Sequence, residues 1–196
     1  MSKANLLDRR AVVAQLLKDR NGAIAVGGLG ASTYDIAAAG DHDRNLYLWG
    51  AMGGAVMIGL GLALAQPSLP VVVITGDGEM LMGMGSLATV GLQKPANLSI
   101  VVLDNEAYGE TGGQISHTAA SADLVGVAKA CGIKDSKAIG TMAEVEAFAL
   151  SLQDVTTGPR FASAKIDGAN LERVLSSRDG TYIVNRIRGS FGRTPI

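Results

Sequence analysis

The stretch VVVITGDGEMLMGMGSLATVGLQK, Val71 to Lys94, decides the fold. Val71 to Thr75 runs without a polar interruption, the pattern of a strand covered on both faces and therefore of a parallel sheet. Gly76-Asp77-Gly78 ends that strand, and Gly83 to Gln93 takes up helical spacing. The wholly apolar Leu98 to Leu103 supplies the return strand, completing a βαβ unit.

Working outward, Leu6 to Lys18 predicts a helix with Leu6, Val13, Leu16 and Leu17 on one face and Asp8, Arg9 and Arg10 turned elsewhere. Ala23 to Val26 predicts a short buried strand ending in Gly27-Gly28-Leu29-Gly30, followed by a helix from Ser32, whose hydroxyl caps it, to Ala39. Asp41 to Asn45 reads as a polar loop. Met52 to Gln66 is apolar on nearly all sides, which predicts a central helix ended by Pro67. Further on, helices are expected over Asp123 to Cys131 and Thr141 to Val155, and strands at Ala138-Ile139 and Phe161 to Ile166. The alternation gives an α/β fold, a three-layer parallel sheet with helices on both faces, connected by sequential right-handed crossovers. The 196 residues suit one domain, residues 1–196, in which 167–196 has weak periodicity and reads as an extension over a surface or a neighbour.

Charged residues make up only 18% and hydrophobic ones 47%, with 26 glycines, which is more apolar surface than one small domain needs to hide and favours an oligomer. The net charge of −1 gives no electrostatic reason for nucleic acid or an anionic membrane as partner. Cys131, the single cysteine, cannot close an internal disulfide and reads as a buried structural thiol within a helical pattern rather than a nucleophile, since no basic group is evident beside it. The amino terminus has no continuous apolar segment and reads as neither signal peptide nor anchor. The apolar run Ala51 to Ala65 is shorter than the roughly 20 residues of a membrane helix, so a cytoplasmic protein is expected.

Ligands of open α/β sheets sit beyond the carboxyl ends of the strands. Two such ends carry suitable groups, Thr75 to Glu79 and Asp104 to Gly109. The 26 residues between Gly78 and Asn105 fit one helix and one return strand, so Asp77 and Asn105 should emerge side by side. Magnesium suits such a pair, because it takes oxygen ligands and is held by one or two protein oxygens together with the phosphates of a ligand. Gly76 and Gly78 would let the backbone approach a diphosphate, and the following helix would offer its first amides. A lone Gly-Asp-Gly is as readily a plain turn; Asn105 at the end of the next strand is what favours the metal.

The combination of GDG, 26 intervening residues and Asn105 resembles the motif of the thiamine-diphosphate-dependent enzymes. In that family the aspartate and asparagine side chains bind Mg²⁺ with the main-chain carbonyl two residues later, which implies Asp77, Asn105 and Ala107 here. Glu106 stands where members often show a second asparagine. LWGAMGGAVMIGLGLA, Leu48 to Ala63, is similar to the family's Gly-x-Met-Gly segment, which would put Ala51 and Met52 against the cofactor, with Met52 propping it in its bent form. Gly30, Ser32 and Thr33 fall where the family places further diphosphate contacts, and Glu79, Tyr108 and Gly109 extend the two strand ends. A Rossmann reading of GGLGAS fails for want of the third glycine and of an acidic strand end about twenty residues on.

Within the family, YGETGGQISHT (Tyr108 to Thr118) and DHDRNLYLWGAMG most resemble the β subunits of sulfopyruvate decarboxylase and the matching half of phosphonopyruvate decarboxylase. The glycines at 112 and 113 suggest a loop folding over the site, with Glu110 or Gln114 near the reacting centre. Glu110 reads equally as a solvated loop carboxylate, and His117 either as a loop hydrogen-bonder or as an acid–base group. The resemblance implies a chain that grips only diphosphate and metal. A companion polypeptide would bring the pyrimidine-binding domain and its glutamate, in a hetero-oligomer with two or more copies of each chain. The implied reaction is decarboxylation of a 2-oxo acid; carboligation, carbon–carbon cleavage or a non-catalytic cofactor-binding module are the alternatives. Five late arginines, Arg173, Arg178, Arg186, Arg188 and Arg193, are donors for a sulfonate or phosphonate, or contacts of a solvated tail or a neighbouring subunit.

Overall fold

In the computed structural model, which describes residues 6–196, the strands are β1 (Ile24–Gly27), β2 (Asn45–Tyr47), β3 (Val71–Gly76), β4 (Leu98–Asp104), β5 (Ala107–Tyr108), β6 (Gln114–Ile115), β7 (Asp135–Ile139) and β8 (Arg160–Lys165). Six of them form one parallel sheet in the order β2-β1-β3-β4-β8-β7, while β5 and β6 pair antiparallel as a small separate ribbon. The helices are α1 (Arg9–Leu17), α2 (Ala31–Ala38), α3 (Ala55–Ala65), α4 (Asp77–Met82), α5 (Ser86–Gln93), α6 (Leu124–Ala130), α7 (Met142–Ser151) and α8 (Gly180–Gly189). Helix α1 packs with α2 and α7, and α5 packs with α3 and α6, which gives the sheet a helical layer on each face. Val71 to Thr75 and all of β4 are buried, as their unbroken apolar character requires.

The strand order departs from the expected sequential crossovers. From β1 the chain steps outward to β2, then returns to the other side of β1 as β3; later it skips a place to β7 before β8 fills the gap beside β4. The loops after β1 and β3 therefore diverge, and that divergence opens a crevice at the carboxyl end of the sheet.

Several local expectations also change. Asn45 belongs to β2, a three-residue edge strand too short to show a period. A helix starts at Asp77 itself, six residues earlier than expected, and is interrupted at Gly83, where an added Cβ would lie 2.3 Å from the Gly53 carbonyl oxygen. Gly30, at φ +76°, occupies the cap position of α2, so Ser32 falls inside the first turn and caps nothing. Arg9 is buried in an ion pair with Asp35 at 3.0 Å, not turned outward. Helix α3 is not enclosed: Ala55, Val56, Gly59, Leu60 and Ala63 pack inward, but Met57 and Leu64 are 45% and 51% exposed. Met52 precedes that helix in a turn.

The tail is more ordered than its sequence suggested. Asp179 caps α8 by accepting from the Tyr182 amide at 3.0 Å, and Ile183 and Ile187, one turn apart, bury against the core beside β2. Arg186 locks the helix there through Asp41 at 2.7 Å and the Asn45 carbonyl at 3.1 Å. No helix among the described residues is long and apolar enough to cross a membrane.

Candidate functional site

The crevice is lined by groups from three strand ends: Leu29, Ala31 and Ser32 after β1, Gly76 to Glu79 after β3, and Asn105 with Ala107 to Thr111 after β4. Met52 reaches it from the turn before α3, and residues 167–171 with Arg173 cross it as a strap. The register Gly76↔Leu103 between β3 and β4 carries Asp77 and Asp104 out level, with Asn105 one residue beyond. An Asx turn then redirects the chain, as the Asn105 side-chain oxygen accepts from the Ala107 amide at 3.2 Å. Glu106 takes φ +62°, a left-handed conformation that asparagine adopts more readily than glutamate. Here its side chain is held by Lys165 at 2.6 Å and its amide by Asp104 at 3.1 Å. Tyr108 lies flat against Gly78, where a Cβ would come within 2.5 Å of the ring.

Asp77 is buried, and its carboxylate accepts from the hydroxyls of Ser116 and, at 3.1 Å, Thr118. The single hydroxyl proton of Thr118 is shared between Asp77 and Asp104, which lies nearer at 2.7 Å, and Lys165 pairs with Asp104 at 2.8 Å. Burial pushes the Asp77 carboxyl above the ordinary aspartate range; the hydroxyl bonds offset part of this, and the Asp104 carboxylate adds to it. Among the described residues no cationic side chain pairs with Asp77. A buried carboxylate in that position is one that a bound cation would satisfy.

Glu79 is consumed by the fold. Its two oxygens accept from the amides of Leu29 at 2.8 Å, Gly53 at 3.3 Å and Ala55 at 3.4 Å, tying the loop after β1 to the start of α3. Glu79→Gln would set an amide donor against backbone donors, and unfolding in urea should show a loss of about 2 kcal/mol. An unchanged midpoint and slope would show that the clamp contributes little.

Of the residues singled out in the sequence, Ser32, Met52, Gly76, Asp77, Gly78, Glu79, Asn105, Ala107, Tyr108, Gly109 and Glu110 meet at this crevice. Others do not line it. Thr33 is buried and donates to the Gly28 carbonyl at 2.6 Å, and Ala51 is exposed. Gly30 stands behind the Glu110 side chain. Gln114 is exposed and closes the ribbon's own turn through Thr111 at 2.8 and 3.0 Å. His117 sits in the 3-10 turn His117–Ala119, where its carbonyl oxygen accepts from the amides of Ala120, Ser121 and Ala122. The hydroxyls that do reach Asp77 are its neighbours Ser116 and Thr118, 39 and 41 residues from Asp77 in the chain, a separation at which no local pattern points to them. The late arginines separate: Arg173 reaches the crevice, Arg178 stacks over Trp49, Arg186 ties the tail to Asp41 and Asn45, Arg188 bonds within the tail, and Arg193 is exposed.

The chain is similar to known proteins. Residues 25–162 match the model of the thiamine pyrophosphate enzyme, C-terminal TPP binding domain. The chain is 44% identical over 110 residues to the β subunit of sulfopyruvate decarboxylase from Methanocaldococcus jannaschii, covering 56% of this chain and 58% of that one. The corresponding subunit from Methanococcus maripaludis is 34% identical over 168 residues, covering 86% and 90%. Phosphonopyruvate decarboxylase from Streptomyces viridochromogenes is 40% identical over 162 residues, covering 82% of this chain but 39% of that protein. The chain thus spans less than two thirds of the first and the last of these. Benzoylformate decarboxylase from Polynucleobacter necessarius shares the fold, with a TM-score of 0.72 at 22% identity over 86% of this chain and 34% of that one. With strand ends, crevice and family model in agreement, the chain belongs to the thiamine pyrophosphate enzymes, residues 25–162 being their C-terminal cofactor-binding domain.

Proposed function

We propose that this chain is the diphosphate- and Mg²⁺-binding subunit of a heteromeric thiamine-diphosphate-dependent 2-oxo acid decarboxylase. The observation that carries the proposal is the meeting of Asp77, Asn105, Ala107 and the glycines 76 and 78 in one crevice at adjacent strand ends. The donor set fits: one carboxylate, one amide oxygen and one peptide carbonyl are hard oxygen ligands, and a metal held this way completes its shell from phosphate and water. Asp77 would supply the anionic ligand, Asn105 and Ala107 the neutral ones, and the unpaired first-turn amides of α4 would face the diphosphate. Met52 would bear on the cofactor from the turn before α3. When bound, thiamine diphosphate supplies the nucleophilic carbon and the electron sink that loss of carbon dioxide from a 2-oxo acid requires.

A companion chain would supply the pyrimidine-binding domain, with the cofactor lying across the junction. Two features support this: Met57 and Leu64 on α3, with Met82, Met84 and Leu92 on and beside α4 and α5, leave apolar side chains bare, and two matched relatives carry the word subunit in their names. In this reading residues 1–196 form one domain with 167–196 as its extension, in a cytoplasmic assembly holding two or more copies of each chain. Purification with the companion chain, followed by addition of thiamine diphosphate and Mg²⁺ and a panel of 2-oxo acids, should release carbon dioxide and an aldehyde. Acyloin as the main product would replace decarboxylation by carboligation, and no product from any acid would overturn the reading.

The raised pKa of Asp77 gives a pH dependence. Protonation removes the anionic ligand, so cofactor retention should weaken as pH falls through that raised value, above the roughly 4 of an ordinary aspartate. The cofactor-free chain moves oppositely. Its folded state holds the proton more tightly than the unfolded one, so the stability Asp77 contributes is fully present below the unfolded value and lost as pH rises through the folded one. Calorimetric titration of thiamine diphosphate and Mg²⁺ at stepped pH checks this; a midpoint at the ordinary aspartate value would contradict it.

A further inference from the structure

We infer that Arg173 selects a 2-oxo acid bearing a second anionic group, a sulfonate or phosphonate. This rests on the decarboxylase reading above.

Two guanidinium groups line the crevice, Arg9 and Arg173. Arg9 is already engaged, buried in an ion pair with Asp35, which also takes Arg10 at 3.2 Å. Arg173 differs in each respect. It is 65% exposed, and its one ionic partner among the described residues, Glu110, lies 3.4 Å away and is itself 37% exposed. A pair so wetted and so long holds little energy and is readily displaced. The single contact also leaves most of the guanidinium donors open, and their planar fork matches the oxygens of a tetrahedral anion.

The group is nevertheless well placed. Its guanidinium carbon lies 5.5 Å from the centre of the Tyr34 ring, and Tyr34 also lines the crevice, so this cation–π contact holds the group there. The strap is pinned on both sides of it, by Arg10 donating to the Glu172 carbonyl at 2.6 Å and by the Trp49 indole donating to the Ser177 carbonyl at 2.8 Å. Glu110 in turn rests on Gly30, where any Cβ would come within 2.7 Å of it. The printed names of two relatives denote pyruvates with a sulfonate or a phosphonate, the chemistry this fork fits.

The test uses the complete enzyme, both chains with thiamine diphosphate and Mg²⁺, and measures kcat and KM for 3-sulfopyruvate, 3-phosphonopyruvate and pyruvate. Arg173→Ala should raise KM for the two doubly anionic acids about tenfold or more, so that selectivity over pyruvate falls by the same factor. Arg173→Lys should recover part of it, and Arg193→Ala should leave the selectivity unchanged. A larger loss for one acid than the other identifies whether sulfonate or phosphonate is the better match. An equal fall for all three acids with a lowered unfolding temperature would make Arg173 a strap anchor and overturn the inference, as would no change at all. If pyruvate alone is turned over, the inference fails and the decarboxylase reading stands; if no acid releases carbon dioxide, both fall.

Discussion

Asp77→Ala is expected to weaken retention of thiamine diphosphate and Mg²⁺ on the order of 100-fold, the loss of one charge-assisted ligand contact, while the chain stays folded. The fold should tolerate the change because the carboxylate is a cost to the cofactor-free protein: burial and Asp104 both resist its ionisation. Its two hydroxyl partners are not orphaned by the substitution. Ser116 and Thr118 lie 2.8 Å from each other, and Thr118 retains Asp104 at 2.7 Å. Calorimetry on the isolated chain measures the affinity, and a thermal melt without cofactor measures the fold. A cofactor affinity equal to that of the unaltered chain would remove the metal assignment. An unfolded variant would show instead that the hydroxyl–carboxylate cluster is structural.

Gly91→Ala is the second large effect, and it acts on the scaffold. Gly91 lies on the inner side of α5, where a Cβ would fall 1.7 Å from the carbonyl oxygen of Cys131 and 2.8 Å from its carbon. The obstacle is backbone at the end of α6, so no rotamer change relieves it. The two helices must separate above a core that includes Leu87, Val90, Ala128 and Ile133, all essentially inaccessible. A loss of about 3 kcal/mol follows, lowering the unfolding temperature by roughly 6–12 °C in a chain of this size. A melt at the original temperature would mean that the α5–α6 contact gives way cheaply. Because α5 does not line the crevice, cofactor bound at saturation should still raise the melting temperature of the variant.

Much of the lining of the crevice was legible before any coordinates. Asp77 and Asn105 were found because a strand end followed by one helix and one strand is a matter of spacing, and neighbouring parallel strands place their ends together. Ser116 and Thr118 were overlooked in favour of His117 between them, since which side of that turn faces Asp77 depends on how the ribbon docks. Glu79 shows the reverse problem: a carboxylate beside the proposed metal ligand Asp77 whose oxygens the backbone has already claimed.

By itself the sequence determined the alternation of strands and helices, the buried character of β3 and β4, and the oxygen groups that the strand ends deliver, because periodicity and loop spacing are local properties of a chain. Only the tertiary structure decided the strand order, the bare outer face of α3 and the strap that brings Arg173 to the crevice. Those features depend on which distant surfaces pair most favourably, a comparison among alternatives that no single segment encodes.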